Sequence, residues 1–454
     1  MRGFLFRYLF LPLRDRLKRE QVARDLRFLR AYETWPEERR KAFVTRKLHD
    51  LLAFASQRVP FYREYFGGRV VTDLKAFPIL TKEEIRRQPE KFLAEGWQRR
   101  PHEINASSGT TGTPFRFYVD RRSISLGLAA QYRFLEKIGH RWGRPILSLW
   151  GNPSSYAKER QPIKRLGSWL RNERVFPSFT LKDPRAFEDL VRLYLQVRPW
   201  LLYGYSKALY AFALYLRDRG LEVPPPRAVV ATSETLFPSE RRVVAEVFRA
   251  PVHGQYGFGE ILSVAYQCAR GYYHTVEPHV VVETRERPGL ADPKVREFVV
   301  TDLDNRVMPF IRYAPGDLLV LGEEPEPCGW PGWTFQEVLG RTTDLIRTPE
   351  GGYVTVPSFF GVDTVKDIPD LRKYQVIQKS LTDFEVKLVV GPAFLRNREA
   401  YEARLRRLFQ EIVGEVTVRF RYVDDIPPEP TGKYLLVKSE LKDEGPPSPA
   451  GPRQ

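Results

Sequence analysis

Cysteine, methionine and histidine are scarce in this chain of 454 residues, which has two, two and six of them. Two cysteines form at most one disulfide bond, so the fold does not depend on disulfides, and a reducing, cytoplasmic location is expected. No hydrophobic run is long enough to cross a bilayer. These absences argue against a disulfide-stapled secreted scaffold and against an integral membrane protein.

The charge is unbalanced, with 73 lysines and arginines against 56 acidic residues and a net charge of +17. This excess suits anionic ligands such as nucleotides, coenzyme A, nucleic acid or an acidic membrane. A non-catalytic protein that binds nucleic acid or membrane would cluster its basic residues among aromatic ones. Here the charge is spread along the chain, so we expect no specific binding of nucleic acid, although the non-enzyme alternative stays open.

The N-terminal segment "MRGFLFRYLFLPLRDRLKRE" combines a short apolar run with arginines. Arg7 interrupts the run, and no cleavage site of a signal peptide follows. The segment could lie on a membrane surface, with its apolar side chains inserted and its arginines near the headgroups. It could equally be a helix that packs on its own domain, so peripheral membrane contact is one of two alternatives.

Helices and strands alternate in the middle of the chain, around "WLLY" at Trp200, "RAVVA" and "PVHGQYG". This alternation predicts a largely parallel sheet covered by helices, with ligands at the carboxyl ends of its strands. Ser206 is expected to cap one of these helices. After about residue 340, two strands, a helix and a further strand predict a small α+β unit. The final residues, 441–454, are rich in proline and glycine and predict a disordered tail.

The stretch "SSGTTGTP" begins at Ser107 and lies between two strand-like segments. Its composition is typical of a surface turn, but its glycines and hydroxyls could also form a cradle for an anion. It lacks the Gly-Lys-Ser/Thr of a Walker loop. If phosphates bind here, the neutralising lysine must come from another part of the chain.

Five further motifs follow this stretch in order. They are "TSET" (232–235), "YGFGE" (256–260), "RYAPGD" (312–317), "GRTTDLI" (340–346) and "EPTGKYLL" (429–436). With "SSGTTGTP" they resemble the adenylate-forming superfamily, and most of all its phenylacetate–CoA ligase-like branch, which includes relatives in capsular polysaccharide biosynthesis. The resemblance covers nearly the whole chain. It implies an α/β fold with a large N-terminal domain (1–340) of helix-flanked sheets and a small mobile α+β domain (341–440).

The resemblance also implies a role for each motif. Lys433 would neutralise the substrate carboxylate and the α-phosphate, and Glu260 would bind Mg²⁺. Tyr256 would stack on adenine, and Asp317, assisted by Arg341, would bind the ribose. The remaining implied nucleotide-binding residues are Ser107, Ser108, Gly109, Thr110, Thr111, Gly112 and Thr113 for the phosphates, and Ser233, Glu234, Thr235 and Gly257 around the adenine. Gly259 departs from the family, where threonine or serine is common.

The implied reaction uses ATP to convert a carboxylic acid to an acyl-adenylate and pyrophosphate. The acyl group would then pass to a thiol, with coenzyme A expected. A carrier protein or an amine in polysaccharide or natural-product synthesis is the alternative acceptor. The sequence does not identify the acid, although Trp150, Tyr203 and Tyr205 are expected to line its pocket.

Both cysteines fall where some relatives place ligands of a structural zinc ion. The implied set is Cys268, His274, Glu326 and Cys328, in which Glu326 replaces a cysteine of the relatives. Two thiolates, an imidazole and a carboxylate are chemically acceptable ligands of Zn²⁺. The alternative is a pair of ordinary buried cysteines without metal.

Overall fold

Helices and strands are mixed throughout the protein, whose structure is a computed structural model. It describes residues 1–107, 115–150, 161–182, 184–233, 235–286, 292–322, 328–341, 345–347, 349, 353–355, 368–427, 435 and 437–441. The chain divides into two compact units, one formed by Met1–Glu286 and Lys294–Gly340 and the other by Arg287–Pro293 and Arg341–Gln454. The mixed α/β class expected from the sequence is confirmed. The domain limits expected from the sequence (1–340 and 341–440) and the mobility of the smaller domain remain a proposal.

The larger unit contains eleven described helices that surround its sheets. They are α1 (Arg2–Leu5), α2 (Leu11–Lys18), α3 (Val22–Tyr32), α4 (Glu37–Arg58), α5 (Pro60–Tyr65), α6 (Lys82–Arg87), α7 (Arg121–Lys137), α8 (Pro162–Arg171), α9 (Pro184–Val197), α10 (Ser206–Asp218) and α11 (Pro238–Phe248). Proline stands at the first or second position of several of these helices, where its missing N–H has no intrahelical partner to lose.

An eight-stranded sheet forms one core of this unit. Its order is β15-β10-β9-β8-β7-β6-β4-β5. The strands are β4 (Ile146–Trp150), β5 (Glu173–Pro177), β6 (Leu201–Tyr205), β7 (Ala228–Thr232), β8 (Val252–Tyr256), β9 (Ala265–Gln267), β10 (Tyr273–Thr275) and β15 (Thr334–Phe335). The strands from β5 to β8 are parallel, which confirms the predicted parallel sheet. All residues of β7 are buried, as expected for a strand with helices on both faces.

A six-stranded sheet and a hairpin complete the strands of this unit. The sheet has the order β1-β13-β12-β14-β16, and β11 also pairs with β12. Its strands are β1 (Leu80–Thr81), β11 (Val280–Arg285), β12 (Val295–Asp302), β13 (Tyr313–Ala314), β14 (Asp317–Val320) and β16 (Glu337–Arg341). The hairpin pairs β2 (His102–Ser107) with β3 (Phe115–Asp120) in antiparallel fashion. The two strands predicted around "SSGTTGTP" are therefore confirmed.

The smaller unit contains a hairpin of β17 (Leu345–Arg347) and β18 (Tyr353–Thr355). It also contains a four-stranded sheet in the order β21-β20-β19-β22. The strands of this sheet and the two accompanying helices are β19 (Leu371–Gln378), β20 (Asp383–Val390), β21 (Thr417–Tyr422), β22 (Val437–Ser439), α12 (Pro392–Arg396) and α13 (Arg398–Val413). Gly414 ends α13 with a positive φ of 101°. The predicted strands and helix of the α+β unit are confirmed, while residues 442–454 of the expected tail lie outside the described residues.

Ser206 does not cap helix α10, contrary to the prediction. It is the first residue of the helix, the preceding Tyr205 occupies the cap position, and no side chain there accepts a helix N–H. The Ser206 hydroxyl instead donates to the carbonyl of Thr232, at 3.3 Å. A hydroxyl that bonds to the neighbouring strand β7 is not available as an N-terminal cap.

The N-terminal segment is helical from Arg2 to Lys18, with a π-helical stretch at Phe6–Phe10 between α1 and α2. Phe6 and Leu11 are buried in a core that also includes Leu126 and Phe134 of α7. The predicted packing of this segment on its own domain therefore occurs. In the described part of the chain, no helix combines the length and the apolarity needed to span a bilayer.

Candidate active site

The carboxyl ends of β7 and β8 carry two of the predicted nucleotide-binding motifs. In the parallel pairing of these strands Ala231 lies opposite Gly254. Ser233 and Tyr256 each follow that pair by two residues. Ser233 is exposed and has a left-handed φ of 71°, and the half-buried Thr235 follows it. Non-glycine residues are rarely left-handed, and such conformations concentrate at functional sites. Glu234 lies outside the described residues.

Tyr256 and Asp317 meet through a short hydrogen bond. The Tyr256 hydroxyl donates to Oδ2 of Asp317 at 2.6 Å. Tyr256 ends β8 of the eight-stranded sheet, whereas Asp317 begins β14 of the other sheet, so the bond joins the two sheets. Gly316 precedes Asp317 with a φ of 87°, which a residue without Cβ adopts at little cost. The structure thus brings the predicted adenine and ribose residues together.

Aromatic rings surround Tyr256. The ring centroids of Phe298, Phe258 and Phe335 lie 5.4, 6.0 and 6.2 Å from its own, with Phe298 and Phe335 nearly perpendicular to it. Edge-to-face contacts of this kind fix the plane of a ring. The Tyr256 ring is therefore held in one orientation at a half-buried position.

Glu260 is buried in the loop after β8, and two polar side chains contact it. The Tyr313 hydroxyl donates to its Oε1 at 3.1 Å, and the Lys82 ammonium lies 3.7 Å from the same oxygen. The loop is compact because Gly257 leaves no space for a side chain: an added Cβ would lie 2.3 Å from the Leu262 carbonyl oxygen. Glu260 is thus a buried carboxylate with a hydrogen-bond donor and a nearby cation.

Sequence reasoning missed both Lys82 and Tyr313 as neighbours of Glu260. Lys82 follows β1, which pairs with β13 so that Leu80 lies opposite Tyr313. This pairing joins segments that are far apart in the chain, and no local motif at Lys82 predicts it. For Tyr313 a signal did exist, because it belongs to "RYAPGD", the motif that also contains Asp317.

Gly259 lies against Phe117 of the β2–β3 hairpin. A Cβ at this position would come within 3.1 Å of the Phe117 ring, which is closer than a normal van der Waals contact. The buried Phe117 ring therefore gives a local reason for glycine where the resemblance leads us to expect threonine or serine.

Several predicted residues have no described side chain. Ser107 is the last residue of β2 and Arg341 the last residue of β16, and only their backbone is described. Lys433, the implied catalytic lysine, and Glu326, an implied zinc ligand, lie outside the described residues, as do Ser108, Gly109, Thr110, Thr111, Gly112 and Thr113 of the phosphate loop.

The three aromatic residues expected around the acid form one cluster. Trp150 lies with its ring centroid 5.6 Å from Tyr203 and 4.5 Å from Tyr205. The Tyr203 hydroxyl accepts from Gln131 at 2.9 Å and donates to Gln255 at 3.2 Å. Trp150 and Tyr205 end the parallel strands β4 and β6, so the cluster lies at the carboxyl edge where such sheets bind ligands.

Cys268, His274 and Cys328 come together although Cys328 is distant in sequence. Each offers a ligand atom within 4.8 Å of the other two, and the Cys328 sulfur lies 3.1 Å from Nε2 of His274. Burial, followed by the nearby Lys137 ammonium, lowers the His274 pKa to about 4. Burial and the neighbouring Cys268 raise the pKa of the Cys328 thiol. A neutral imidazole beside two sulfurs fits the donor set of a structural zinc site.

A second buried group contains His279, Asp302 and Asp304. Nδ1 of His279 lies 2.9 Å from Asp304, and the Lys47 ammonium lies 2.7 Å from the same carboxylate. Burial disfavours ionisation of Asp304, but Lys47 and His279 together hold its pKa at about 2. Ser123 donates to Asp302 at 2.6 Å. Because Lys47 already neutralises Asp304, this group is an internal ion-pair network.

Three comparisons relate the chain to known proteins. A family model described as the CapK C-terminal domain matches residues 346–440. A phenylacetate–coenzyme A ligase of Thermus thermophilus is 27% identical over 387 residues, which are 80% of this chain and 84% of that protein. A 2-hydroxyisobutyryl-CoA ligase in the postadenylation state has a TM-score of 0.70 at 16% identity, covering 90% of this chain and 91% of the other.

An anthranilate CoA ligase in complex with anthranoyl-AMP has a similar fold over a smaller part of the chain. Its TM-score is 0.55 at 16% identity, and the match covers 74% of this chain and 66% of the other. At these identities the solved structures establish the fold, while the Thermus relative and the CapK model add likeness in sequence. Residues 346–440 match the CapK C-terminal domain, and the chain as a whole is similar in sequence to a phenylacetate–CoA ligase and in fold to adenylate-forming CoA ligases.

Proposed function

We propose that this protein is an AMP-forming acid–thiol ligase. In the first step a carboxylate oxygen attacks the α-phosphorus of ATP, the bond to the β-phosphate oxygen breaks, and pyrophosphate leaves. In the second step a thiol attacks the acyl carbon, and AMP leaves. The observation that carries the proposal is the bond between Tyr256 and Asp317 at the carboxyl end of β8, because two nucleotide motifs from different sheets meet there.

The geometry suits a bound nucleoside. The Tyr256 ring, held by its aromatic neighbours, would stack on the adenine, while Ser233, Thr235 and Glu234 would form the side of that pocket. The Asp317 carboxylate would accept from the ribose hydroxyls, with Arg341 assisting. Hydrogen bonds to a charged group contribute about 1.5–3 kcal/mol each, which is enough to orient a nucleotide.

Glu260 is the proposed ligand of Mg²⁺, since this ion prefers carboxylate and phosphate oxygens. Tyr313 and Lys82 would hold the Glu260 carboxylate in position. Bound Mg²⁺ would offset the repulsion between the attacking carboxylate and the phosphates, which is the main barrier to such a reaction. Ser107 to Thr113 would supply further donors to the β- and γ-phosphates, and Lys433 would supply a positive charge to the reacting groups.

Coenzyme A is the proposed acyl acceptor, because the Thermus relative and the solved structures reported above are named as CoA ligases. A carrier protein or an amine is retained as the alternative acceptor. The acid is proposed to bind beside Trp150, Tyr203 and Tyr205, and the aromatic rings favour an acid with an apolar body.

Carboxylate-dependent exchange of pyrophosphate into ATP tests the first step. The protein is incubated with ATP, Mg²⁺, labelled pyrophosphate and a panel of aryl, fatty and sugar acids. We expect exchange with one class of acid and none without acid. Absence of exchange across the panel, with a folded protein that binds ATP, would contradict the proposal.

Product analysis with the active acid then identifies the acceptor. Coenzyme A, a phosphopantetheinylated carrier protein and an amine are supplied separately, and the acyl products are separated and weighed by mass spectrometry. Rapid formation of the CoA thioester is expected. Exchange without any thioester, but with an amide product, would favour the alternative.

We further propose a structural Zn²⁺ held by Cys268, His274, Cys328 and Glu326. A site closed by four protein ligands leaves no position for water, so the ion would stabilise the fold and take no part in the reaction. The predicted contact of residues 1–20 with a membrane also remains a proposal.

A further inference from the structure

The outer side of the N-terminal helical segment is apolar although it faces solvent. Phe6 and Leu11 are buried on the inner side, whereas 63% of Phe4, 62% of Leu9 and 63% of Leu17 is exposed. Tyr8 and Leu13 are also more than half exposed. Most amphipathic helices on protein surfaces place polar residues on that side. This segment therefore has two apolar sides, of which its own domain covers only one.

The π-helical stretch at Phe6–Phe10 aligns these exposed residues. A π-helix bonds residues five apart, where an α-helix bonds residues four apart. Phe4 and Leu9 are five residues apart across this stretch, and Leu13 and Leu17 follow at α-helical spacing in α2. The four side chains therefore share one line along a helical segment about 25 Å long.

Helix α8 extends the same surface. Gly167 of α8 lies against Phe10, since a Cβ on that glycine would be 3.0 Å from the ring. The Arg2 guanidinium lies 4.6 Å from the centre of the Trp169 ring. Next to these contacts α8 exposes Leu166 and Trp169, by 49% and 43%. The N-terminal apolar surface, as we define it, comprises Phe4, Tyr8, Leu9, Leu13, Leu17, Ile163, Leu166 and Trp169.

Positive charge surrounds this surface. Residues 1–19 contain six basic residues and one acidic residue, Asp15, and residues 161–172 contain three basic residues and no acidic one. Asp15 is buried, while Arg16, Arg19 and Arg165 are exposed. Glu20, the next acidic residue, is also buried and is paired with Arg14 and Arg121. The rim of the surface therefore presents cations without exposed acidic neighbours in these two segments.

We propose that the N-terminal apolar surface docks on a bilayer that contains anionic phospholipids. The apolar side chains of both helical segments would enter the boundary between headgroups and acyl chains, and the arginines would contact lipid phosphates. A helix that lies in the plane of the membrane needs an apolar side and a basic rim. The basic rim favours a lipid surface over an apolar protein partner, because clustered phosphates complement it directly. The proposal does not depend on the proposed ligase activity.

Co-sedimentation of the full chain with vesicles tests this docking. We expect binding to vesicles of phosphatidylglycerol and phosphatidylcholine, weakening with salt, and weaker binding to phosphatidylcholine alone. Leu9→Gln/Leu13→Gln/Leu17→Gln and, separately, Leu166→Gln/Trp169→Gln should each lower the partition coefficient by about tenfold or more. Arg16→Gln/Arg165→Gln should reduce binding mainly at low salt.

A matched control replaces exposed apolar residues outside the surface, as Ile104→Gln/Leu221→Gln/Leu395→Gln, and should bind vesicles like the unaltered chain. Circular dichroism confirms that each variant is folded, and pyrophosphate exchange reports the proposed activity independently. Equal vesicle binding by all variants, or no binding to anionic vesicles at low salt, would overturn the proposal. A dimer in sedimentation velocity that the surface substitutions dissociate would assign the surface to a second copy of the chain and would likewise contradict it.

Discussion

At the scale of single residues, the Tyr256 hydroxyl is the most specific feature of the site. Its 2.6 Å bond to Asp317 connects two residues that the motifs assign separately to adenine and ribose. The hydroxyl therefore has a positioning function that stacking alone does not require. A phenylalanine would keep the ring and lose this connection.

Tyr256→Phe is expected to raise the KM for ATP by about tenfold, because Asp317 loses a hydrogen bond that holds its carboxylate. The KM for the acid should change little. Tyr194→Phe is a suitable control, since its hydroxyl donates to the Pro224 carbonyl at 2.8 Å outside the site. Pyrophosphate-exchange kinetics measure both constants. An unchanged KM for ATP would show that the hydrogen bond between Tyr256 and Asp317 does not contribute to ATP binding.

Lys433→Ala should lower adenylation by about 100-fold or more, since the charge proposed to balance the carboxylate and the α-phosphate is lost. Thioester formation from a pre-made acyl-adenylate should be spared, because the α-phosphate has by then been transferred. Lys438→Ala, an exposed lysine on β22, serves as the control. Equal loss of both half-reactions in a folded Lys433 variant would show that this division is wrong.

At the scale of elements, the proposed zinc site would fasten the β9–β10 hairpin to Cys328 and the residues that follow it. Cys268 follows β9 and His274 lies in β10, so two ligands come from one hairpin. Cys328 comes from a segment distant in sequence. A metal ion would thus link two points of the chain that are more than 50 residues apart, as a cross-link does in the unfolded chain.

Protein purified without added metal should contain close to one zinc per chain. Cys268→Ser should release it and lower the free energy of unfolding, by about 4 kcal/mol if free zinc had stood 1,000-fold above its dissociation constant. Cys328→Ser should behave alike. His279→Asn, in the second buried group, should destabilise the protein without lowering its zinc content. Elemental analysis measures the zinc content, and thermal unfolding measures the stability. If the purified protein contains no zinc and Cys268→Ser leaves its stability unchanged, the two cysteines are ordinary residues without metal.

Sequence patterns predicted those elements whose signal is local. The hydrophobic pattern and the turn residues within each segment predicted the parallel strands and the strands β2 and β3. They also predicted the strands and the helix of the smaller unit. Ser206 shows the limit of this reasoning, because a hydroxyl can bond to a neighbouring strand as well as cap its own helix.

The site was less predictable than the fold. The motifs named Tyr256, Asp317 and Glu260, but their contacts depend on how two sheets meet. Lys82 reaches Glu260 only because β1 pairs with the distant β13. The N-terminal segment is apolar in sequence on both sides, so its pattern could not separate the packed alternative from the membrane alternative.

At the scale of the whole molecule, the buried ion pair of Lys47 and Asp304 links helix α4 to the segment after β12. The Lys47 side chain is 18% exposed and that of Asp304 only 2%. The carboxylate would be strongly disfavoured in this place without its cation. Global stability should therefore depend on this pair more than on the numerous exposed ones.

Lys47→Met is expected to lower the free energy of unfolding by about 3 kcal/mol, because Asp304 remains buried without its main cation. Lys75→Met, which removes an exposed ion pair with Glu283, should cost less than about 1 kcal/mol. Urea unfolding of both variants at neutral pH measures the difference. If both substitutions lower the free energy of unfolding equally, burial does not determine how much an ion pair contributes to stability.

The same pair predicts a pH dependence. The folded-state pKa of Asp304 is about 2, below its ordinary value of 3.8. Its contribution to stability is therefore complete above about pH 4 and is lost as the pH falls towards 2. The stability difference between the unaltered chain and Lys47→Met should shrink over this interval. A difference that stays constant between pH 4 and pH 2 would contradict the assignment.

The contact between Gly259 and Phe117 couples the stability effects of substitutions at the two positions. Threonine, which the resemblance leads us to expect at position 259, would meet the Phe117 ring, so Gly259→Thr alone should shift that ring or the loop that carries Glu260. Phe117→Ala first makes room, at the cost of a cavity worth about 3–5 kcal/mol, and Gly259→Thr then refills part of it. Each substitution is thus harmful alone and less harmful beside the other. The double variant should therefore be more stable than the sum of the two single costs predicts, and urea unfolding of the four proteins of this cycle measures the coupling.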